Sequence, residues 1–296
     1  MSDTTVTTPV SELDARTASV SLRAARRGAA GILRQPTLVL AILYILFVLL
    51  CVFAPQLVAA HDPISGEVAD RLLPPGVEHP FGTDPTGRDM LARVVYGASN
   101  SLQSIVIAVG SGFVVGSLVG LLSGFIGGWF DEVLMRLVDI LLAVPSLLLS
   151  LALIAIMGPG LVNVALAVGV AGIPSFARLL RADVMKVRGA GYVEAARAGG
   201  ARWYSILFRH VLPNSSGVIV SMLALEFGNA VLAVSALSFL GYGAAPPTPE
   251  WGRLVAEGRD YLTTAWWLVT IPGLAVSALV LASNRIAQAT ERKGAR

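Results

Sequence analysis

Between Arg93 and Asp131 the chain reads VVYGASNSLQSIVIAVGSGFVVGSLVGLLSGFIGGWF, residues 94–130, 37 positions without a charged side chain. An α-helix rises 1.5 Å per residue, so about 20 apolar residues cross the ~30 Å hydrocarbon layer of a bilayer. Within the stretch Gly112, Gly116, Gly120, Gly124 and Gly128 recur at every fourth position. That spacing puts them on one helix face, where missing side chains let a second backbone approach closely. The stretch predicts a membrane helix with a glycine packing seam. The spacing does not say whether the seam faces another helix of this chain or a second subunit.

Four more uncharged gaps surround it: 27 residues between Arg34 and Asp62, 38 between Asp139 and Arg178, 23 between Glu226 and Glu250, and 24 between Asp260 and Arg285. The 38-residue gap is too long for one crossing and breaks at Gly158-Pro159-Gly160, a turn signal. Six transmembrane helices follow, at 36–56, 102–126, 134–157, 161–181, 216–240 and 264–284. The expected fold class is an all-α membrane protein. Composition agrees: 55% of residues are hydrophobic and 14% charged, against about 25% charged in soluble domains. Such a chain cannot cover its own surface with polar groups, which argues against a soluble enzyme, a disordered protein or a nucleic-acid binder. The net charge of +3 does not reopen the last of these.

Lys and Arg give the orientation. With a cytoplasmic N-terminus, 17 fall on the inside and 5 on the outside, so both termini are read as cytoplasmic. The chain divides into a tail (1–35), the first helix and an external loop (36–101), a five-helix core (102–284) carrying a cytoplasmic loop at 182–215, and a second tail (285–296). A further external loop covers about 241–263. The leader is long for a cleaved signal peptide and Val58-Ala59-Ala60 is a weak cleavage site, so the first span is read as retained. Cys51, the single cysteine, rules out an intrachain disulfide and reads as a small lipid- or helix-facing residue.

Few groups suggest chemistry. Asp139 follows Arg136 by three residues and is expected to pair with it. Glu226 lies within span five, where a charge is costly and by default functional. It is a candidate for the transport pathway, and it could also face a water-filled bundle, be protonated against a neighbour or relay protons. No phosphate-binding GxxxxGK[ST] loop, HExxH or GxSxG occurs. His61, His79 and His210 are far apart in sequence, the first two expected on the opposite side of the membrane from the third, so no metal site is expected from them. No catalytic residue and no cofactor site is identified.

The cytoplasmic loop is the informative segment. Tyr192 to Ala198 has good helix sequence, Gly199-Gly200 breaks it, and Ala201 to Val211 is helical again until Pro213 limits its continuation. Trp203, Ile206, Leu207 and Val211 share one side of the second piece. A basic, amphipathic helix–turn–helix of this kind lies on anionic lipid or docks in a groove of another protein.

The stretch Glu194-Ala195-Ala196, with Gly200 four residues on and Leu212-Pro213 closing it, resembles the EAA loop of permease subunits in ABC importers. His79-Pro80-Phe81-Gly82-Thr83-Asp84 with Gly87-Arg88-Asp89 is similar to the segment after span one in C-type peptide and nickel permeases. So are Leu237-Ser238-Phe239-Leu240-Gly241, Pro246-Pro247-Thr248-Pro249-Glu250-Trp251-Gly252, Ala265-Trp266-Trp267 and Pro272-Gly273. The resemblance covers residues 36–286. It departs at Gly199, where the branch has a bulkier apolar residue, and after Arg285, where a Gly-Asp-x-Leu-Arg-Asp ending is absent.

The resemblance implies a type I ABC importer permease fold in the cell membrane. It implies a heterodimer with a B-type permease, two separate ATPase subunits carrying ATP and magnesium, and an external solute-binding protein. Glu194, Ala195, Ala196 and Gly200 become the ATPase contact, with Leu212 and Pro213 closing the loop. Di- and oligopeptides are the implied substrates, although nickel chelates, glutathione-like peptides and oligosaccharides share this permease type. In physical terms Pro80, Gly82 and Gly87 fix turns, Asp84 and Asp89 can cap local backbone, and Pro246 to Pro249 favours a stiff extended segment. Rigid external loops suit a surface that receives a binding protein, and they suit plain scaffolding equally.

Overall fold

The structure, a computed structural model, describes residues 35–202, 205, 209 and 212–294. It is helical throughout: α1 Pro36–Phe53, α2 Met90–Ile126, α3 Gly128–Ala143, α4 Ser146–Met157, α5 Leu161–Arg188, α6 Gly191–Ala198, α7 Leu212–Phe239, α8 Trp251–Gly258 and α9 Trp267–Gly294. Among the described residues the only β-pairing is the bridge between Thr83 and Asp89. Among the described residues five helices are long and apolar enough to cross a membrane singly, contributed by α1, α2, α5, α7 and α9.

The third expected span is not a straight helix. Its place is taken by α3 and α4, bent by 92° at a short break. The cause is local: Pro145 forces Val144 out of the helical region, to φ −95° and ψ 128°. α4 has 12 residues, too few to span ~30 Å alone at 1.5 Å each.

Register nevertheless requires the chain to cross back here. A Cβ placed on Gly112 would lie 2.7 Å from the Gly169 carbonyl oxygen, on Gly116 2.7 Å from that of Ile173, on Gly120 2.5 Å from that of Ala177, and on Gly124 2.9 Å from that of Arg181. Four glycines at steps of four therefore face four carbonyls at steps of four. Both series ascend together, so α2 and α5 run parallel. The chain leaves α2 at one face and enters α5 at the other, and the α3–α4 pair is the return.

The seam thus lies inside this chain. Gly128 is not part of it: α2 stops at Ile126, Gly127 and Gly128 adopt φ +73° and +62°, and a Cβ on Gly128 would meet nothing within 4 Å. The fourfold spacing runs one glycine past the end of the helix.

α9 runs back against α1. The Tyr44 hydroxyl donates to the Ala275 carbonyl at 2.6 Å, and Arg285 donates to Thr37 Oγ1 at 2.9 Å and Gln35 Oε1 at 2.8 Å. Gln35 and Arg285 therefore share a face, and it is the face at which α2 and α5 end. The core between these helices is apolar, with Val48, Ile105, Val164, Val231 and Leu279 buried in one cluster. Cys51 is buried in that cluster and is helix-facing rather than lipid-facing.

Other expectations need correcting. α2 begins at Met90 instead of 102, so the first external loop is shorter than 57–101. Counting uncharged residues stopped at Arg93, which is helical and buried because its charge is paired. Asp139 pairs with Arg178 of α5 at 2.6 Å and not with Arg136; both partners are exposed, so the pair contributes little. Pro246 to Pro249 is a turn, with a cis Pro246–Pro247 peptide and a 3.1 Å bond from the Thr248 amide to the Ala245 carbonyl, in place of an extended segment. Pro213 stands at the start of α7 instead of ending a helix, a position that suits a residue without an N–H. Residues 1–34, Trp203, Ile206, Leu207, His210 and Val211 lie outside the described residues, and with them the N-terminal tail and most of the second loop helix.

Candidate functional site

The loop helix α6 follows directly on α5. It begins after Gly189-Ala190, its Glu194 lies in the first turn, and the Val193 and Glu194 amides reach back to the Ala190 carbonyl at 2.9 and 3.2 Å. Glu194 and Ala195 are exposed, and Ala196 continues the same helix. The helix ends with the Gly199 amide on the Ala195 carbonyl at 2.9 Å. Gly200 then takes φ +82° with open space around its Cα, so backbone conformation and not crowding requires glycine there. Leu212 and Pro213 open α7.

Among the described side chains of α6, Val193 points inward. It is fully buried against Leu180, Val184 and Val187 of α5, with Leu121 and Phe125 of α2, Ala201 and Ile219 of α7 packed around them. Arg188 adds a bond to the Gly124 carbonyl at 3.3 Å. The helix therefore presents Glu194 and Ala195 to its surroundings while Val193 ties it to two membrane helices. A push on α6 is a push on α5. The sequence marked Glu194, Ala195 and Ala196 but not Val193, whose role depends on packing against residues far along the chain.

The second feature is a cavity of about 540 Å³ between α2, α4, α5 and α7. Its walls are mostly Ala, Val and Leu, with Ser146, Ser150, Ser175, Glu226 and Asn229 as the polar groups. Glu226 is half-buried, within hydrogen-bonding reach of Ser175 and Asn229. Pro174, inside α5, lies next to Ser175 and lacks the N–H that an unbroken helix would give to the Val170 carbonyl. Glu226 thus lines a cavity dotted with polar groups. The serines and Asn229 were not singled out from sequence, although polar residues in spans are the general signal for such a lining.

At the opposite face the external motifs brace one another. Asp84 Oδ1 accepts from the Thr86 amide at 2.8 Å and the Arg88 amide at 3.0 Å, and Asp89 Oδ2 caps α2 by accepting from the Ala92 amide at 2.7 Å. Burial works against the Asp84 carboxylate, but the bonds from Arg88 and Thr86 outweigh it and hold its pKa below the usual range. Arg93, 1% exposed, bonds Glu257 at 2.9 Å and the Pro63 carbonyl at 3.3 Å. Trp251 donates from its indole to the Val94 carbonyl at 2.8 Å, Trp267 to that of Thr83 at 3.1 Å, and Asn100 reaches the Pro249 carbonyl at 2.8 Å. Glu250 is buried, which pushes its carboxyl up, and it accepts from the Ala244 amide at 3.2 Å. Scaffolding is what these bonds do: the motif residues hold the loops to the helix ends.

The same region holds a contact that the sequence did not suggest. His61 and His79 are close, their ring centroids 5.5 Å apart, and His79 Nδ1 lies 2.9 Å from Asp89 Oδ1.

The architecture defines a class. A solved chain described as an amino acid ABC transporter with histidines superposes with a TM-score of 0.53 at 16% identity, over 68% of this chain and 94% of that one. The likeness shows a shared all-α permease fold. Residues 116–295 match the family of binding-protein-dependent transport system inner membrane components, and the chain belongs to that family. It is a multi-pass membrane permease subunit of an ABC importer; it works with further permease, ATPase and binding-protein components, and ATP hydrolysis resides on separate subunits.

Relatives extend over most of the chain. It is 41% identical to a dipeptide transport system permease protein, DppC, of Alkalihalophilus pseudofirmus, over 81% of this chain and 79% of that protein. It is 42% identical to a di/tripeptide transport system permease protein, DppC, of Pseudomonas aeruginosa, over 82% of each. A glutathione transport system permease protein, GsiD, of Pectobacterium atrosepticum is 39% identical over 85% of this chain and 84% of that protein.

Proposed function

We propose that the chain is the C-type permease of an importer for di- and oligopeptides, paired with a B-type permease. Two ATPase subunits carrying ATP and magnesium dock on the face that holds α6, and an external solute-binding protein delivers substrate to the other. The relatives that transport dipeptides, tripeptides and glutathione support the substrate class. The bias of 17 basic residues against 5 supports a cytoplasmic placement of the α6 face, and with it of both termini.

The observation that carries the mechanism is the two-sided character of α6. Glu194, Ala195, Ala196 and Gly200 form the ATPase contact. Val193 passes the movement of the ATPases to α5 and α2, whose glycine seam keeps them together as one rigid unit. That unit moves against α7 and the partner permease and opens the Glu226 cavity to alternate sides.

The test is uptake of a labelled tripeptide by cells expressing this chain with the products of its neighbouring genes. Glu194→Ala with Gly200→Leu is expected to abolish uptake while the chain stays in the membrane. Uptake unaffected by both changes sinks the coupling mechanism. An assembled wild-type complex that takes up no peptide sinks the substrate class and leaves the mechanism standing.

A further inference from the structure

The segment after α1 folds back onto the entry to α2 and brings two histidines and an aspartate together. Suitable donor atoms of His61, His79 and Asp89 all lie within 4.8 Å of one another. Asp89 is buried, His79 half-buried and His61 exposed. We propose that these three residues bind a divalent transition-metal ion of the zinc type, a site separate from both the Glu226 cavity and α6.

The donor set selects the class. Two imidazoles and one carboxylate suit zinc, copper, nickel or cobalt, whereas calcium and magnesium take oxygen ligands throughout. Tetrahedral ligands at ~2.0–2.1 Å from zinc are themselves about 3.3 Å apart. The donor atoms, 4.8 Å or less apart, have to draw closer to reach that value, and His61, the exposed ligand, is the one with room to move, leaving the fourth position to water.

The backbone around the site is already fixed. The Pro63 carbonyl is held by Arg93 at 3.3 Å, and the Asp62 carboxylate accepts from the Ile64 amide at 3.0 Å and from the Ser65 hydroxyl. A Cβ on Gly66 would lie 2.6 Å from the Thr86 carbonyl oxygen, so the segment lies tightly on the 79–89 turn. Asp89 is anchored by its cap on the Ala92 amide. Two of the three ligands therefore sit on short, braced turns, and little ordering remains to be done on binding.

Electrostatics favour a cation. The three residues line a cavity of about 580 Å³ together with Asp62, Glu67, Asp70 and Glu78, and among the described residues no Lys or Arg lines it. Two imidazoles among several carboxylates attract a divalent ion, whose charge offsets part of theirs. The bound ion ties the segment after α1 to the first turn of α2.

The site is independent of the substrate reading and is tested without transport. The full chain is purified without a polyhistidine tag, stripped with chelator and titrated calorimetrically with ZnCl₂, with CaCl₂ in parallel. The expected result is saturation at one Zn²⁺ per chain and no calcium binding. His61→Ala changes an exposed residue, and its metal-free melting temperature is expected to match the wild type. It is expected to weaken zinc binding at least about tenfold, while His210→Ala leaves binding unchanged. Absence of zinc binding by the wild type overturns the proposal, as does equal affinity in His61→Ala or loss of binding in His210→Ala. Cobalt gives a second reading: an intense visible band from the wild type that His61→Ala loses supports the site, and an unaltered spectrum counts against it.

Discussion

Arg93 shows what one residue does in this molecule. It sits in the first turns of α2, fully buried, and is met by Glu257 at 2.9 Å and by Asp84 at 3.5 Å. Its removal takes a charged hydrogen bond from Glu257 and one from the Pro63 carbonyl, while Arg88 still meets Asp84 and Arg253 still meets Glu257, a cost of about 1.5–3 kcal/mol. Arg93→Met is therefore expected to lower the melting temperature of the solubilised protein sharply, by more than Arg178→Met at the exposed pair with Asp139. Equal melting temperatures for the two variants would show that the outer brace carries no stability. Sequence could not disclose this role. Arg93 read as the charged edge of a loop because its partner lies 164 residues further on. The nearness of His61 and His79, with ring centroids 5.5 Å apart, was likewise not legible, because it depends on how the segment after α1 folds back. By contrast Asp84 and Asp89 act within a few residues of themselves, and their capping was legible.

At the scale of elements the glycine seam separates crowding from mere frequency of glycine. Gly120 faces the Ala177 carbonyl so closely that a Cβ would lie at 2.5 Å, backbone that cannot rotate away. Gly110, on the same helix, has nothing within 4 Å. Replacing a helical glycine by alanine favours the helix by up to ~1 kcal/mol where space allows. Gly110→Ala is thus expected to hold or raise the melting temperature, and Gly120→Ala to lower it by forcing α2 away from α5. A seam formed only with a second subunit predicts instead that Gly120→Ala leaves the isolated chain unchanged and lowers recovery of the complex. The seam was legible from Gly112 to Gly124 because its period is that of the helix. It failed at Gly128 because a fourfold spacing carries no sign that the helix has ended. The bend between α3 and α4 had a visible cause in Pro145, but a long apolar run hid it.

At the scale of the molecule the question is how a contact on α6 reaches a cavity lined by α7. The path on hand is short: Val193 against Leu180 and Val184, then back along the middle of α5 to Ser175 beside Glu226. It was half legible, since Glu194 and Ala195 stand in a recognisable motif, while Val193 looks like any valine until α5 is folded beside it. The two halves of α6 predict two different defects. Glu194→Ala alters the exposed surface, so the ATPases are expected to associate less and the assembled complex to be recovered in lower yield. Val193→Ser leaves that surface intact and weakens the anchorage beneath it. Its complex is expected to assemble at wild-type yield and to hydrolyse ATP, while tripeptide uptake per ATP falls severalfold, because α6 then yields without carrying α5 along. Measuring recovery, hydrolysis and uptake on the same reconstituted preparations separates the two. Loss of assembly in Val193→Ser would make Val193 part of the docking surface, and unimpaired uptake per ATP would mean that the signal reaches the cavity by another route, α7 through Ile219 being the nearest.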